Sequence, residues 1–308
     1  MSGVPPDWTA SSGDLIADRR FGYAEALAAE GDHAAAADLF QQITERVPGW
    51  PPAWFGYGKA LLASGQQADA AHAFTRCQTL DPPDRLGAGT FLARLRGHAD
   101  QAAMSDAYIA GLFDEYAPRF DTHLVSALAY RAPTLLVEAL ARAKSPPTFA
   151  RVLDLGCGTG QMAKALDRSA QSIIGVDLSA RMLVEAEKTG LYAALHRAEL
   201  LKFLAGEAAA SADLIIAADV FCYVPDLWPV FTESARVLMT GGTLAFTVQT
   251  HAGEGVIVGE DSRMHHAPRH VEALLAQSGL AVLELRDASS RKDRGIDVPG
   301  AVFVSMKA

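Results

Sequence analysis

The chain has 308 residues, half of them hydrophobic, which is more than one compact core usually takes and points to two cooperating globular units. Its 36 acidic against 27 basic residues give a formal net charge of -9, and no run is dominated by Lys and Arg, so neither nucleic acid nor an anionic membrane is expected as the main partner. Cys77, Cys157 and Cys222 lie too far apart for a CxxC pair and leave one over in any disulfide scheme; we read them as reduced thiols of a cytoplasmic protein. Met1 to Asp14 lacks the positive flank and apolar stretch of a secretion signal, and the apolar run from Leu214 is broken by Asp219, short of a membrane span.

In chain order, the first signal is a period of 34 residues. Gly31 recurs as Gly65, Ala36 as Ala70, Phe40 as Phe74 and Pro48 as Pro82. The small alanines let two antiparallel helices approach closely, the glycines end the first helix of each pair, and the phenylalanines fill the stack. Trp54, Tyr57, Gly58 and Leu61 match the W-x2-L-G-x2-Y opening with conservative changes, and the segment resembles a pair of tetratricopeptide repeats. A further helical stretch around Leu86 to Leu95 reads as a third first helix or a cap. Two copies are few for an independent solenoid, so the array is expected to lean on the second domain or on another subunit.

Pro51-Pro52 and Pro82-Pro83 close the repeats, and Pro146-Pro147 marks the boundary of the next domain, because proline lacks a donor and disfavours helix in the residue before it. The expected organisation is therefore a helical repeat domain over 1–100, connecting or lid helices over 101–147, and a nucleotide-binding α/β domain over 148–308.

From Arg151 on, strand-like runs alternate with amphipathic stretches, the pattern of a doubly wound, Rossmann-like sheet. Strands are predicted over 151–155, 172–177, 194–200, 213–218, 243–250, 280–286 and 301–306, and helices near 161–169, 180–188, 202–210, 227–238 and 269–278. No helix separates the final two strands, so the last can pair antiparallel with its predecessor.

The chemistry begins in Val152-Leu153-Asp154-Leu155-Gly156-Cys157-Gly158-Thr159-Gly160-Gln161. Glycines are needed where the backbone turns sharply and approaches a ligand. Gln161 stands where a dinucleotide fingerprint wants its third glycine. Asp154, two residues ahead of Gly156, would repel a pyrophosphate but suits the cationic end of S-adenosylmethionine. Asp177, closing the second strand, can accept both ribose hydroxyls, with Leu178 beside it; Met182 can pack on the adenine, and Glu199 with Leu200 can receive its amino group and its ring. Cys157 serves in the turn as a small residue.

Together these residues resemble the class I S-adenosylmethionine-dependent methyltransferases, and the resemblance runs through Ala218-Asp219-Val220 and Leu238-Met239-Thr240-Gly241-Gly242. It implies a seven-stranded sheet, S-adenosylmethionine as cofactor and S-adenosylhomocysteine as product. Glu199 departs from the more usual aspartate. The stretches Leu112 to Asp121 and Asp219 to Leu227 are similar to a bacterial group of methyltransferases with N-terminal tetratricopeptide repeats, whose acceptor is undefined.

Tyr116 and Phe120, four residues apart, share one helical face and fold over the cofactor as a lid or pack between domains. Methyl transfer needs alignment above all; a base helps if the acceptor is a hydroxyl or a protonated amine, and histidine is the natural type. Arg263, His265 and His266 are expected in a loop on the side where substrates enter, with His265 and His266 as catalytic candidates beside Tyr223 and Asp219. Tyr108 and Gln249 join Arg263 as acceptor-site candidates. No metal is expected, since neither an HxxxH pair nor a carboxylate cluster accompanies the histidines.

Three readings of function stay open. The first is a small-molecule methyltransferase whose repeats cover the site or mediate dimerisation. The second recruits a polypeptide acceptor through the repeat groove. The third is an adaptor that only binds the cofactor, which Asp154, Gly156, Gly158, Gly160 and Asp177, all of the required types, speak against.

Overall fold

The computed structural model describes residues 11–97, 104–121, 129–143, 148–259, 261–293 and 295–308. The chain divides into two compact units, Met1–Tyr108 and Ile109–Ala308. The division falls inside one helix, so most of the segment expected to be a separate connector groups with the α/β unit; the Pro146-Pro147 boundary lies outside the described residues.

The first unit holds α1 (Leu15–Glu30), α2 (His33–Arg46), α3 (Pro51–Ala63), α4 (Gln67–Leu80) and α5 (Ala88–Arg96). Gly31 and Gly65 follow α1 and α3 at φ 89° and 80°, left-handed backbone that other residues adopt only at a cost, and each lets the chain reverse into the second helix of its pair. Ala36 and Ala70 are wholly buried where those helices meet. A Cβ on Gly56 would stand 2.5 Å from the Phe40 ring and one on Gly58 2.7 Å from Phe74, so bare backbone on α3 receives both phenylalanines. Phe74 also stacks on Phe91 of α5 at 4.8 Å, which makes α5 the continuation of the helical stack.

The helix α6 (Asp106–Tyr116) precedes α7 (Ala132–Arg142) and the sheet. The strands β1 (Val152–Leu155), β2 (Ile173–Asp177), β3 (Ala194–Arg197), β4 (Ala212–Ala217) and β5 (Leu238–Gln249) alternate with α8 (Gln161–Leu166), α9 (Ala180–Glu187), α10 (Leu200–Gly206) and α11 (Trp228–Val237). A hairpin, β6 (Val256–Val258) and β7 (Met264–His266), comes before α12 (Pro268–Gln277) and β8 (Leu280–Asp287). Two short strands, β9 (Lys292–Asp293) and β10 (Ile296–Asp297), lie between β8 and β11 (Gly300–Lys307).

The spatial order is β3-β2-β1-β4-β5-β11-β8, parallel from β3 to β5, with β11 antiparallel to both neighbours. All seven expected strands are present, and the crossover between β1 and β4 creates the crevice at the carboxyl ends of the strands where such sheets take ligands. Phe221, Phe231, Phe246 and Phe303 are fully buried on one face, Phe246 and Phe303 stacked at 5.1 Å. Apolar side chains on both faces explain why β1 is buried at every position.

Of the boundaries that differ from expectation, two bear on the site. The third strand stops at Arg197 because the Glu199 carboxylate accepts the N–H groups of Leu201 and Lys202 and starts α10. The β6–β7 hairpin replaces the loop expected around His265: β7 pairs with β6 and touches β5 at Gln249, too short a run for alternation to reveal. No helix among the described residues is long and apolar enough to cross a membrane.

Candidate functional site

The turn after β1 carries Gly156, Gly158 and Gly160 at φ 66°, 53° and 86°, so all three need the freedom of glycine. Added Cβ atoms would stand 2.5 Å from Val220 at Gly156 and 3.1 Å from Tyr192 at Gly160. At Gly158 Phe120 alone among the described residues comes near, at 3.8 Å. The turn is thus braced from behind at its outer glycines and covered by one aromatic ring in the middle.

Asp177, at the end of β2, accepts N–H groups from Gly158 (2.9 Å) and Ser179 (2.8 Å). Its carboxylate thereby ties the glycine turn to the second strand, and each oxygen keeps a lone pair for a further donor. Burial raises its pKa. A Phe120–Tyr116 edge contact at 5.2 Å and a Phe113–Phe120 contact at 6.2 Å continue the aromatic cover. Asp114 anchors that segment by accepting from Ser179 Oγ at 2.6 Å and from the Arg181 N–H at 3.0 Å, while Asp121 accepts from Thr159 at 2.5 Å.

Several expected residues stand elsewhere than expected. Asp154 is 1 % exposed beneath the turn, with Oδ2 receiving the hydroxyl of Tyr192 at 2.7 Å, so it does not line an open cleft. Burial pushes its pKa up to about 7. Met182 is 1 % exposed and belongs to the core, leaving no face for an adenine. Cys157 is buried with its thiol pKa raised by desolvation, in keeping with a small packing residue. Both Glu199 oxygens serve as a helix cap, which fixes the carboxylate and leaves its remaining lone pairs for a ligand; Leu178 and Leu200 are half-buried. Tyr108 belongs to the repeat unit, where its ring packs on Gly87 and its N–H donates to Ser105 Oγ at 3.0 Å.

Past the ends of β4 and β5 lies a second, polar group of residues. Asp219 has φ 61°, strained for a non-glycine residue, and is held by a bond from its N–H to Thr247 Oγ1 (2.9 Å) and one from Ser290 Oγ (3.1 Å). The guanidinium groups of Arg263 and Arg291 stand 3.9 Å and 3.7 Å from its Oδ2. Arg263 also lies over the Tyr223 ring at 5.1 Å, and Phe113 meets that ring edge-on at 5.6 Å. Gln249, in the amide orientation that satisfies both of its ends, donates to Asp261 at 3.1 Å and accepts from Arg291 at 2.9 Å.

Neither histidine is free to act as a base. His266 is wholly buried, its Nε2 3.1 Å from the Phe221 carbonyl, and desolvation lowers its pKa to about 4; it is a neutral core residue, which corrects its expected catalytic role. His265 has Nδ1 on the Thr250 carbonyl and Nε2 on Asp261, both at 3.3 Å, and the Asp261 hydrogen bond raises its pKa. Both ring nitrogens of His265 are therefore engaged by protein groups. Sequence reasoning missed Arg291, Ser290 and Tyr192. The first two sit in the connection between β8 and β11, whose polar length, unusual for a hairpin, was the available signal.

The methyltransferase-domain family matches residues 153–246, a span that runs from the glycine turn through Asp177 to β5. A tetratricopeptide-repeat family matches residues 27–95. The chain carries a methyltransferase domain behind tetratricopeptide repeats. For that domain the resemblance read in the sequence implies S-adenosylmethionine as the cofactor.

It is similar to methyltransferase-like protein 27 of Homo sapiens, with 43% identity over 82 residues, 26% of this chain and 33% of the relative. It is also similar to the ubiquinone biosynthesis O-methyltransferase of Paracidovorax citrulli, with 34% identity over 101 residues, 32% of this chain and 42% of the relative. The chain thus spans less than half the length of these two relatives. Among solved structures it shares its fold with the cyclase SpnF, at TM-score 0.55 and 19% identity, covering 67% of this chain and 97% of that one.

The residues of the methyltransferase domain fit the cofactor. A turn in which all three glycines have positive φ, a carboxylate at the end of β2 with lone pairs to spare, and an aromatic ring above Gly158 together suit a nucleoside with two vicinal hydroxyls.

Proposed function

We propose that the chain transfers a methyl group from S-adenosylmethionine to a nucleophilic oxygen of a small-molecule acceptor. One observation carries this reading: the glycine turn with Asp177 and the polar group around Asp219 and Tyr223 lie at the carboxyl ends of neighbouring strands, β1, β2 and β4, of one sheet. The similarity to an O-methyltransferase supports oxygen as the receiving atom.

When bound, the cofactor supplies an electrophilic methyl carbon on a positively charged sulfur. The protein's part is alignment and exclusion of water. In this reading Asp177 receives the ribose hydroxyls, Glu199 and Leu200 border the adenine, and Gly156, Gly158 and Gly160 let the backbone come close. Phe120 and Tyr116 cover the site. Asp219 accepts the hydrogen bond of the acceptor hydroxyl and so aims its lone pair, and Tyr223 flanks the acceptor. The acceptor oxygen loses its proton for the methyl group it gains, and that proton passes by way of the Asp219 carboxylate to solvent. Cys77, Cys157 and Cys222 are buried free thiols, which supports a reducing compartment such as the cytoplasm.

The test is incubation of the protein with methyl-labelled cofactor and cell extract, followed by separation of small from large molecules. Label is expected in the small-molecule fraction. Label confined to macromolecules would overturn the small-molecule reading in favour of a polypeptide recruited through the repeats.

A further inference from the structure

The two arginines beside Asp219 are oddly placed for a merely structural ion-pair network. Arg291 is 6 % exposed, so each of its donors needs a partner. One terminal nitrogen has Gln249 and Asp261, but Nε is buried with no hydrogen-bond partner among the described residues, and Asp219 Oδ2 at 3.7 Å is beyond hydrogen-bonding reach. Arg263 lies over the Tyr223 ring and comes no closer than 3.9 Å to the same oxygen. Among the described residues neither the Arg263 guanidinium nor the Tyr223 hydroxyl has a hydrogen-bond partner.

Two guanidinium groups therefore face one carboxylate oxygen without donating to it. A network that existed only to hold the fold would close those gaps, since a buried donor left without an acceptor has lost its water and gained nothing in return. Among the described residues the charged groups joined in this cluster are Arg263, Arg291 and His265 against Asp219 and Asp261. Because Asp261 raises the pKa of His265, the cations match or exceed the anions. Asp219 is locked in its strained backbone by Thr247 and Ser290 and cannot swing to serve either arginine better.

We infer that Arg263, Arg291 and Tyr223 form a subsite for the carboxylate of the methyl acceptor, which is accordingly a small organic acid. A planar carboxylate matches the fork of a guanidinium, fills the empty donors and sits beside Asp219, which faces the acceptor's nucleophile. The edge of Phe113 on Tyr223 adds an apolar wall for the body of the acid. This inference rests on the methyltransferase reading and narrows its acceptor.

The experiment saturates the intact protein with S-adenosylhomocysteine and titrates benzoate, benzamide and phenyl phosphate by calorimetry. Benzoate is expected to bind at least about tenfold more tightly than benzamide, from one charge-assisted contact. The preference should vanish in Arg263→Gln and partly return in Arg263→Lys. Equal affinities, no benzoate binding, tighter binding of phenyl phosphate, or an undiminished preference in Arg263→Gln would each overturn the carboxylate subsite. Failure of the wild-type protein to bind S-adenosylhomocysteine, read in the first titration, would instead strike the methyltransferase reading beneath it.

Discussion

Phe40 and Phe74 stand 34 positions apart and do the same work, each set into a bare glycine on α3. Nothing in the polar group around Asp219 has such a counterpart: Asp219, Gln249, Arg263 and Arg291 come from four separate stretches of the second unit and converge only in the folded domain. The repeat unit is thus held by interchangeable packing, and the α/β unit adds a layer of single-use contacts to a regular sheet. The contrast teaches where damage should be structural and where it should be chemical.

The largest effect should fall in the repeats. Phe74 is fully buried, stacked on Phe91 and set against Gly58. Phe74→Ala should destabilise the repeat unit by roughly 3–5 kcal/mol, read as a lower urea midpoint by circular dichroism. A shift below about 1 kcal/mol would mean that the aromatic stack is not what holds the repeats.

Second comes a pH signature confined to the α/β unit. His266 is kept neutral by burial, its pKa lowered from 6.5 to about 4. The unfolded chain takes up this proton first, so the native state loses stability as pH falls from 6.5 towards 4, by roughly 3 kcal/mol in all. Asp154 works in the opposite direction: its raised pKa favours the native state at low pH, and that contribution is lost as pH rises from 3.8 to about 7. Urea melts of His266→Phe and Asp154→Asn against wild type over this range should show differences of opposite slope. Parallel curves would mean that neither group is titrating in the folded core.

The smallest effect returns to the repeats. Gly65→Ala places a side chain at φ 80° with nothing within 4 Å of it, so strain acts without a clash. A cost of about 1 kcal/mol is expected in the same urea melts. A much larger loss would show that the turn contributes more than a reversal of the chain.

What was legible in the sequence follows the same division. The repeat register, the seven strands and the glycine turn were readable because each rests on periodicity or on a local demand for glycine. Asp177 was readable because it closes a strand at a fixed distance from that turn. Tyr192 was not, since its tie to Asp154 spans 38 positions and leaves no local pattern. Arg291 lies 72 positions beyond Asp219, in a connection whose polar length hints at a role without marking the residue that plays it. Asp154 and Met182 were assigned by residue type, but burial decides whether a side chain can reach a ligand, and local sequence does not reveal it. The β6–β7 hairpin escaped because three-residue strands carry no periodicity, and with it went the difference between a buried His266 and an available one.

The central claim is that the turn from Gly156 to Gly160 and the carboxylate of Asp177 form the seat of the cofactor. Calorimetric titration of S-adenosylhomocysteine into the wild-type chain and into Asp177→Ala tests it most directly. The account predicts a single site whose affinity falls by roughly 1.5–3 kcal/mol in the variant, from lost charge-assisted hydrogen bonds. Equal affinity in the two proteins, or tighter binding of a nicotinamide dinucleotide than of S-adenosylhomocysteine, would contradict it.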